Sequence, residues 1–112
     1  MQRRDEVILK KIIMEINIGE EMMGITGMDE FLEDEKLKRA ISMTVINIGE
    51  LIKSITEETR KLHPEVPWKA AAGMRDIAAH KYQTLRMEDV YYTVKQDFPI
   101  LKEQLGKILE NE

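Results

Sequence analysis

The stretch LKRAISMTVINIGELIKSI, residues 37–55, decides the fold class. Its aliphatic residues recur every three or four positions, as Leu37, Ile41, Val45, Ile48, Leu51, Ile52 and Ile55. This spacing places them on one face of an α-helix, which repeats every 3.6 residues. We expect a short helix, a break between Leu32 and Glu35, and then a long helix that runs to Leu62, because the following His63 and Pro64 oppose helix.

A second stripe precedes the first and predicts a helix from about Arg4 to Met23. Its apolar members are Ile8, Leu9, Ile12, Ile13, Ile16 and Met23, with Lys and Glu between them. Gly24 suits the end of this helix, because glycine readily adopts the positive φ that helix ends often require. Thr26 or Asp29 could then cap the short helix that leads to the break.

The second half of the chain predicts three more helices. Pro67 can begin one that runs from Trp68 to about His80. Gly73 inside it costs about 1 kcal/mol against Ala, so we expect a neighbour to approach closely there. The last two helices are marked by Met87, Val90, Tyr91 and Val94, and by Phe98, Leu101, Leu105 and Ile108, with Pro99 in the first turn of the last. Together the stripes predict an all-α fold, a four- to five-helix up-and-down bundle.

Length and composition indicate one globular domain. At 112 residues the chain can bury a single core, so we expect one helical domain over residues 1–112. No apolar run is long enough to span a bilayer and no signal peptide is evident, so we expect a cytoplasmic protein without a membrane partner. The absence of Cys, with only two His, argues against disulfides and against a structural zinc site.

The segment RDIAAHKY, residues 75–82, concentrates polar groups in an Ala-rich helical run. Asp76 and His80 are four residues apart and share a helix face, so the carboxylate can orient the imidazole and raise its pKa. Such a pair can act as a general base. Arg75 lies about 140° around the helix from His80, so these two converge only through a helix end, a long side-chain reach or a second subunit.

The same spacing also fits an ordinary surface. Arg75 would then be solvated, Asp76 and His80 would form a surface pair, and Tyr82 would pack on a helix end. Asn47 and Glu50, an i,i+3 pair, face the same choice between a solvated flank and a polar pair that faces a dimer partner.

The charge distribution allows a local phosphate site. The formal net charge of −4 argues against a protein coated with nucleic acid. Residues 60–86, however, contain six basic side chains, Arg60, Lys61, Lys69, Arg75, Lys81 and Arg86, against two acidic ones, Glu65 and Asp76. If these cluster in space, they could hold a phosphate.

The motifs INIGE (46–50), VPW (66–68) and GMRDIAAHKY (73–82), in this order and spacing, resemble the HepT-like branch of the HEPN superfamily. The resemblance extends from the first helix and FLED (31–34) to FPIL (98–101). It implies a helical bundle, usually a homodimer, that acts as a metal-independent RNase toxin without a cofactor. It also implies an MntA-type nucleotidyltransferase antitoxin, which silences the toxin by adenylylating the motif tyrosine, here Tyr82.

With the resemblance, each motif residue acquires an expected role. His80 would take the proton of the ribose 2′-OH, and Arg75 would stabilise the charge that develops on the phosphorane. Asp76 would orient His80, and Tyr82 would position the substrate and accept AMP, while Asn47 and Glu50 would support the site. An alternative remains, because some proteins with this fold serve as non-catalytic nucleotide-binding or scaffold subunits that dock a nucleotidyltransferase.

Overall fold

The computed structural model describes residues 1–73 and 86–111. Within these ranges all regular structure is helical, which confirms the predicted all-α bundle. The helices are α1 (Arg3–Met23), α2 (Met28–Glu33), α3 (Glu35–Lys53), α4 (Glu57–Leu62), α5 (residues 68–73, where the description stops), α6 (Met87–Tyr92) and α7 (Phe98–Glu110). None of them combines the length and apolar character that crossing a membrane requires.

The predicted break before the long helix is confirmed at Asp34. Its backbone is extended, and its Oδ1 accepts a 3.0 Å hydrogen bond from the backbone N–H of Leu37. This bond satisfies one of the free donors at the start of α3 and separates α2 from α3. The cap predicted for α2 is wrong, since Gly27 holds that position without a side-chain cap and neither Thr26 nor Asp29 supplies one.

The long helix ends earlier than the stripe predicts, at Lys53 instead of Leu62. Thr56 begins α4, and its hydroxyl accepts from the backbone N–H of Thr59 at 3.4 Å. Arg60 folds back and donates to the carbonyl oxygens of Ile52 and Ile55 at 2.9 and 3.2 Å. These hydrogen bonds satisfy backbone groups that have no helical partner at the end of α3. The chain therefore changes direction between α3 and α4, and the apolar stripe changes direction with it.

The core forms where α1 packs along α3 and α7. Gly19 of α1 permits this approach, because a Cβ there would lie 2.9 Å from Phe98 Cε2 and 3.2 Å from Thr44 Cγ2. The buried residues follow the predicted stripes and include Leu9, Ile12, Ile16, Ile41, Ile48, Ile52, Phe98 and Leu105, each 0% exposed. The close approach predicted at Gly73 is not found among the described residues, where a Cβ on Gly73 would meet no atom within 4 Å.

The last two predicted helices are joined into one continuous rod. Between α6 and α7 lies a π-helical segment, Thr93–Asp97, in which the N–H of Phe98 donates to the carbonyl of Thr93, five residues back. Pro99 accounts for this wide turn. It has no N–H to donate to the carbonyl of Lys95, and its ring would collide with that carbonyl in a regular helix.

Candidate functional site

The structure describes two of the six predicted site residues. Asn47 and Glu50 lie on α3, one turn apart, and both side chains are exposed. Arg75, Asp76, His80 and Tyr82 lie outside the described residues. Their convergence and their roles therefore stay predictions.

Asn47 is held by a partner that sequence reasoning missed. Its Nδ2 donates a 2.7 Å hydrogen bond to Oε1 of Glu15 on α1. This bond links the outer sides of α1 and α3 and sets the direction of the Asn47 amide. The two residues are 32 positions apart, so only the packing of α1 on α3 brings them together. Gly49, between Asn47 and Glu50, is buried and belongs to the core face.

The chain that precedes the motif is anchored to the core. Trp68 is 6% exposed, and its Nε1 donates to the carbonyl of His63 at 2.9 Å. The backbone N–H of Val66 donates to the same carbonyl at 3.2 Å, and Ala71 N–H donates to the carbonyl of Pro67 at 2.9 Å. The loop and the first turn of α5 therefore form one rigid unit that precedes residues 74–85.

The chain that follows the motif is also fixed by the core. Arg86 is the N-cap residue of α6, and Val90 in that helix is buried. Ser42 of α3 lies 4.0 Å, from Oγ to Sδ, from Met87. α6 also packs on α2 and α3. Both neighbours of the 74–85 segment thus rest on the same bundle.

The second histidine of the chain has a structural role. His63 Nδ1 lies 3.7 Å from Oε2 of Glu65, an exposed carboxylate two residues away. Its carbonyl is the shared acceptor for Trp68 and Val66. The backbone carbonyl of His63 therefore organises the loop before α5, and its imidazole lies beside the Glu65 carboxylate.

The predicted basic segment supplies fewer available cations than its sequence indicates. The guanidinium of Arg60 is engaged with carbonyl oxygens at the end of α3. Lys61, Lys69 and Arg86 are exposed, and Arg86 lies 3.8 Å from a carboxylate oxygen of Glu88. A phosphate site in this segment must therefore rely on cations other than Arg60.

A cleft of about 350 Å³ separates α5 from the rod formed by α6 and α7. It is lined by Pro67, Ala70, Ala71, Thr93, Asp97, Ile100, Leu101 and Gln104. Loss of surrounding water raises the pKa of Asp97, the only ionisable group among the described residues of this lining. The described part of the lining has an acidic group and no cation, which disfavours an RNA phosphate beside those residues. In residues 1–73 and 86–111, no group of three or more His, Asp and Glu side chains could hold a metal ion.

Comparison with known proteins gives consistent results. Residues 12–108 match the family model described as "Ribonuclease HepT-like". The chain is 34% identical to "Probable ribonuclease HepT" of Thermococcus cleftensis over 96% of its own length and 98% of the relative. It is 33% identical to "Putative RNase TTE0752" of Caldanaerobacter subterraneus subsp. tengcongensis, over 93% of each chain. No solved structure matches the chain significantly.

Proposed function

Because the chain belongs to the HepT-like ribonuclease family of the HEPN superfamily, we propose that it is an endoribonuclease that cleaves RNA without a metal ion. One observation carries the proposal: the family match over residues 12–108 includes the whole segment 75–82. That segment contains a histidine that can act as a base, an arginine that can stabilise a phosphorane and a carboxylate that can orient the histidine, together with the tyrosine proposed to accept AMP.

The reaction proceeds by attack of the ribose 2′-oxygen on the adjacent phosphorus. His80 takes the proton from the 2′-OH, so that the oxygen can form its bond to phosphorus while the bond from phosphorus to the 5′-oxygen breaks and the leaving 5′-oxygen takes a proton from water. Arg75 stabilises the negative charge on the phosphorane oxygens. Asp76 holds the imidazole of His80 in the correct orientation. The products are a 2′,3′-cyclic phosphate and a free 5′-hydroxyl.

The active form is a homodimer, which supplies a route for Arg75 and His80 to meet. On one regular helix the two side chains diverge by about 140°. A cleft shared by two copies lets residues of both motifs act on one phosphate. Asn47 and Glu50 support this site, and the 2.7 Å hydrogen bond that Asn47 Nδ2 donates to Glu15 Oε1 fixes the Asn47 amide.

In the cell the protein is the toxin of a type VII-like toxin–antitoxin pair. Its antitoxin is an MntA-type nucleotidyltransferase that adenylylates Tyr82. The added AMP brings a negative phosphate close to His80 and repels the RNA backbone.

A second function, a non-catalytic subunit that docks a nucleotidyltransferase, is favoured by two observations. The net charge is −4, and the guanidinium of Arg60 is committed to the end of α3. Such a subunit would hold a nucleotide or the partner and would not cut RNA.

The decisive experiment is RNA cleavage by the purified chain in EDTA. The nuclease leaves 2′,3′-cyclic phosphate ends and arrests growth when it is expressed alone. A scaffold subunit does neither. Cleavage that disappears on chelation would refute the metal-free mechanism.

A further inference from the structure

The cleft between α5 and the rod of α6 and α7, called here the α5–α7 cleft, has two apolar walls. Its volume of about 350 Å³ lies within the range of small-molecule sites. Pro67, Ala70 and Ala71 contribute one wall, and Ile100 and Leu101 of α7 contribute the other. Ile100 is 58% exposed, so part of this apolar surface is uncovered. A ligand that fits the cleft therefore has an apolar body.

The polar groups of the described lining all offer hydrogen-bond acceptors. Asp97 is a carboxylate that forms no ion pair with the described residues. Thr93 Oγ1 already donates its proton to the carbonyl of Asp89 at 3.0 Å, so its lone pairs remain. Gln104 Nε2 donates to the carbonyl of Glu65 at 3.1 Å, whereas its Oε1 is shielded from solvent and has no hydrogen-bond partner in the described chain. The complementary ligand group is therefore a donor.

The spacing of these acceptors favours a ligand with two donors. Asp97 and Gln104 are seven residues apart, so they lie on one face of α7 with about 10 Å between their positions along the helix. Ile100 and Leu101 lie between them in the same lining. One donor cannot reach both ends of the cleft. Two donors joined by an apolar chain can, and the chain covers the apolar surface between them.

The charge of the cleft favours a cation over a neutral donor. Burial raises the pKa of Asp97, because no charged partner compensates for the water that this carboxylate has lost. Glu65, an acidic residue with a 56% exposed side chain, lies at the other end of the cleft, where its carbonyl binds Gln104. The described lining contains no Lys or Arg, and the net charge of the chain is −4. An ammonium group is therefore attracted to both ends.

We propose that the α5–α7 cleft binds a linear aliphatic diamine, with one ammonium group at each end. The first ammonium binds the carboxylate of Asp97, and the methylene chain packs between Ala70 and Ile100. The second ammonium binds Oε1 of Gln104. Because Oε1 is shielded from solvent, the Gln104 side chain turns toward the cleft as the ligand binds. The charged hydrogen bond gained there is stronger than the neutral one to Glu65 that this turn loosens.

Calorimetric titration of the purified chain with 1,5-diaminopentane tests the site. We expect saturable binding of one diamine per chain. Pentylamine has the same carbon chain and a single ammonium, so it leaves one end of the cleft unpaired and should bind at least about tenfold more weakly. The short 1,2-diaminoethane cannot reach both ends and should also bind more weakly.

Three variants locate the site. Asp97→Asn removes the charge at one end and should lower the affinity for 1,5-diaminopentane at least about tenfold. Ala70→Leu fills the cleft and should also weaken binding; Ala70 is exposed in α5 and Leu suits a helix, so the fold is retained. Glu103→Gln is the matched control, since Glu103 is an exposed carboxylate of α7 outside the cleft lining, and we expect unchanged affinity.

Three results would each overturn the proposal. Equal affinities for pentylamine and 1,5-diaminopentane would reject a site with two ends. Equal losses in Asp97→Asn and Glu103→Gln would mean that the acidic chain attracts cations without a specific site. Absence of saturable binding below about 1 mM would reject the diamine as ligand. The titration contains no RNA, so its outcome is independent of the proposed nuclease activity.

Discussion

Thr59 Oγ1 donates a 2.6 Å hydrogen bond to Oδ2 of Asp5, 54 residues earlier in the chain. The hydroxyl and the backbone N–H of Thr56 donate to the same carboxylate at 2.5 and 3.2 Å. Asp5 is 0% exposed. This buried carboxylate therefore ties the first turn of α1 to the first turn of α4.

Replacing Asp5 by Ala removes the acceptor of three donors. Buried hydroxyl and N–H groups left without a partner are costly, so we expect a loss of about 2–4 kcal/mol in the free energy of unfolding. Urea denaturation measures it. Asp29→Ala is the matched control, since Asp29 is an exposed carboxylate in the first turn of α2, and we expect a change below about 0.5 kcal/mol. Equal losses for the two variants would contradict the role of Asp5.

The Asp5 carboxylate also makes the free energy of unfolding depend on pH. Burial alone would raise the pKa of Asp5, but hydrogen bonds from Thr56 and Thr59 and the charge of Arg4 hold it below its usual value. The unfolded chain therefore binds a proton more readily than the folded one. The stabilisation is present above the unfolded pKa of about 3.9 and is lost as pH falls through the lower folded value.

We expect the urea midpoint of the natural chain to fall steeply below about pH 4, and that of Asp5→Asn to fall less over the same range. Measuring both midpoints at a series of pH values tests this. Parallel curves would show that other groups cause the acid sensitivity.

Gly19→Ala tests the close packing of α1 on α7. The new methyl group would lie 2.9 Å from Phe98 Cε2, and the ring is buried, so we expect a loss of about 1–3 kcal/mol. Gly106→Ala is the control in α7, where a Cβ meets no atom of the described chain within 4 Å. That change should stabilise by about 0.5–1 kcal/mol through the better helix propensity of Ala. Stabilisation by both changes would mean that the helices are less tightly packed.

The sequence predicts the helices well and their connections less well. Periodicity locates α1, and the Asp34 break follows from the expected length of the stripe. The end of α3 at Lys53 was missed, because it depends on Thr56 and on the distant Asp5. The apolar spacing continues across the junction of α3 and α4, so this spacing alone does not indicate that α3 ends at Lys53.

The candidate site shows the same division. Asn47 and Glu50 can be singled out as an i,i+3 polar pair that lies off the apolar stripe, but the partner Glu15 comes from another helix. Residues 60–86 predict a basic patch from composition. In the structure, the guanidinium of Arg60 binds carbonyl oxygens at the end of α3, so one cation of this patch is already engaged. A count of charges in the sequence cannot indicate such a tertiary contact.

Tyr82 is expected to be the AMP acceptor. An unperturbed phenol has a pKa near 10, so Tyr82 is poorly suited to proton transfer at neutral pH and more suited to modification. Co-expression with an MntA-type nucleotidyltransferase should add one or more AMP groups, and Tyr82→Phe should abolish the addition. Tyr92→Phe is the matched control, since Tyr92 is 47% exposed and should leave the modification unchanged. Peptide mass spectrometry that places AMP on Tyr91 or Tyr92 would contradict the assignment.

The most direct test of the central claim compares the two histidines of the chain in one RNA-cleavage assay. Both His80→Ala and His63→Ala proteins are purified without a partner and incubated with RNA in EDTA. The account predicts that His63→Ala, which retains the backbone carbonyl that binds Trp68, cleaves like the natural chain and leaves 2′,3′-cyclic phosphate ends. His80→Ala removes the general base and should lower the rate of RNA cleavage by about 100-fold or more. Full activity of His80→Ala would contradict the account.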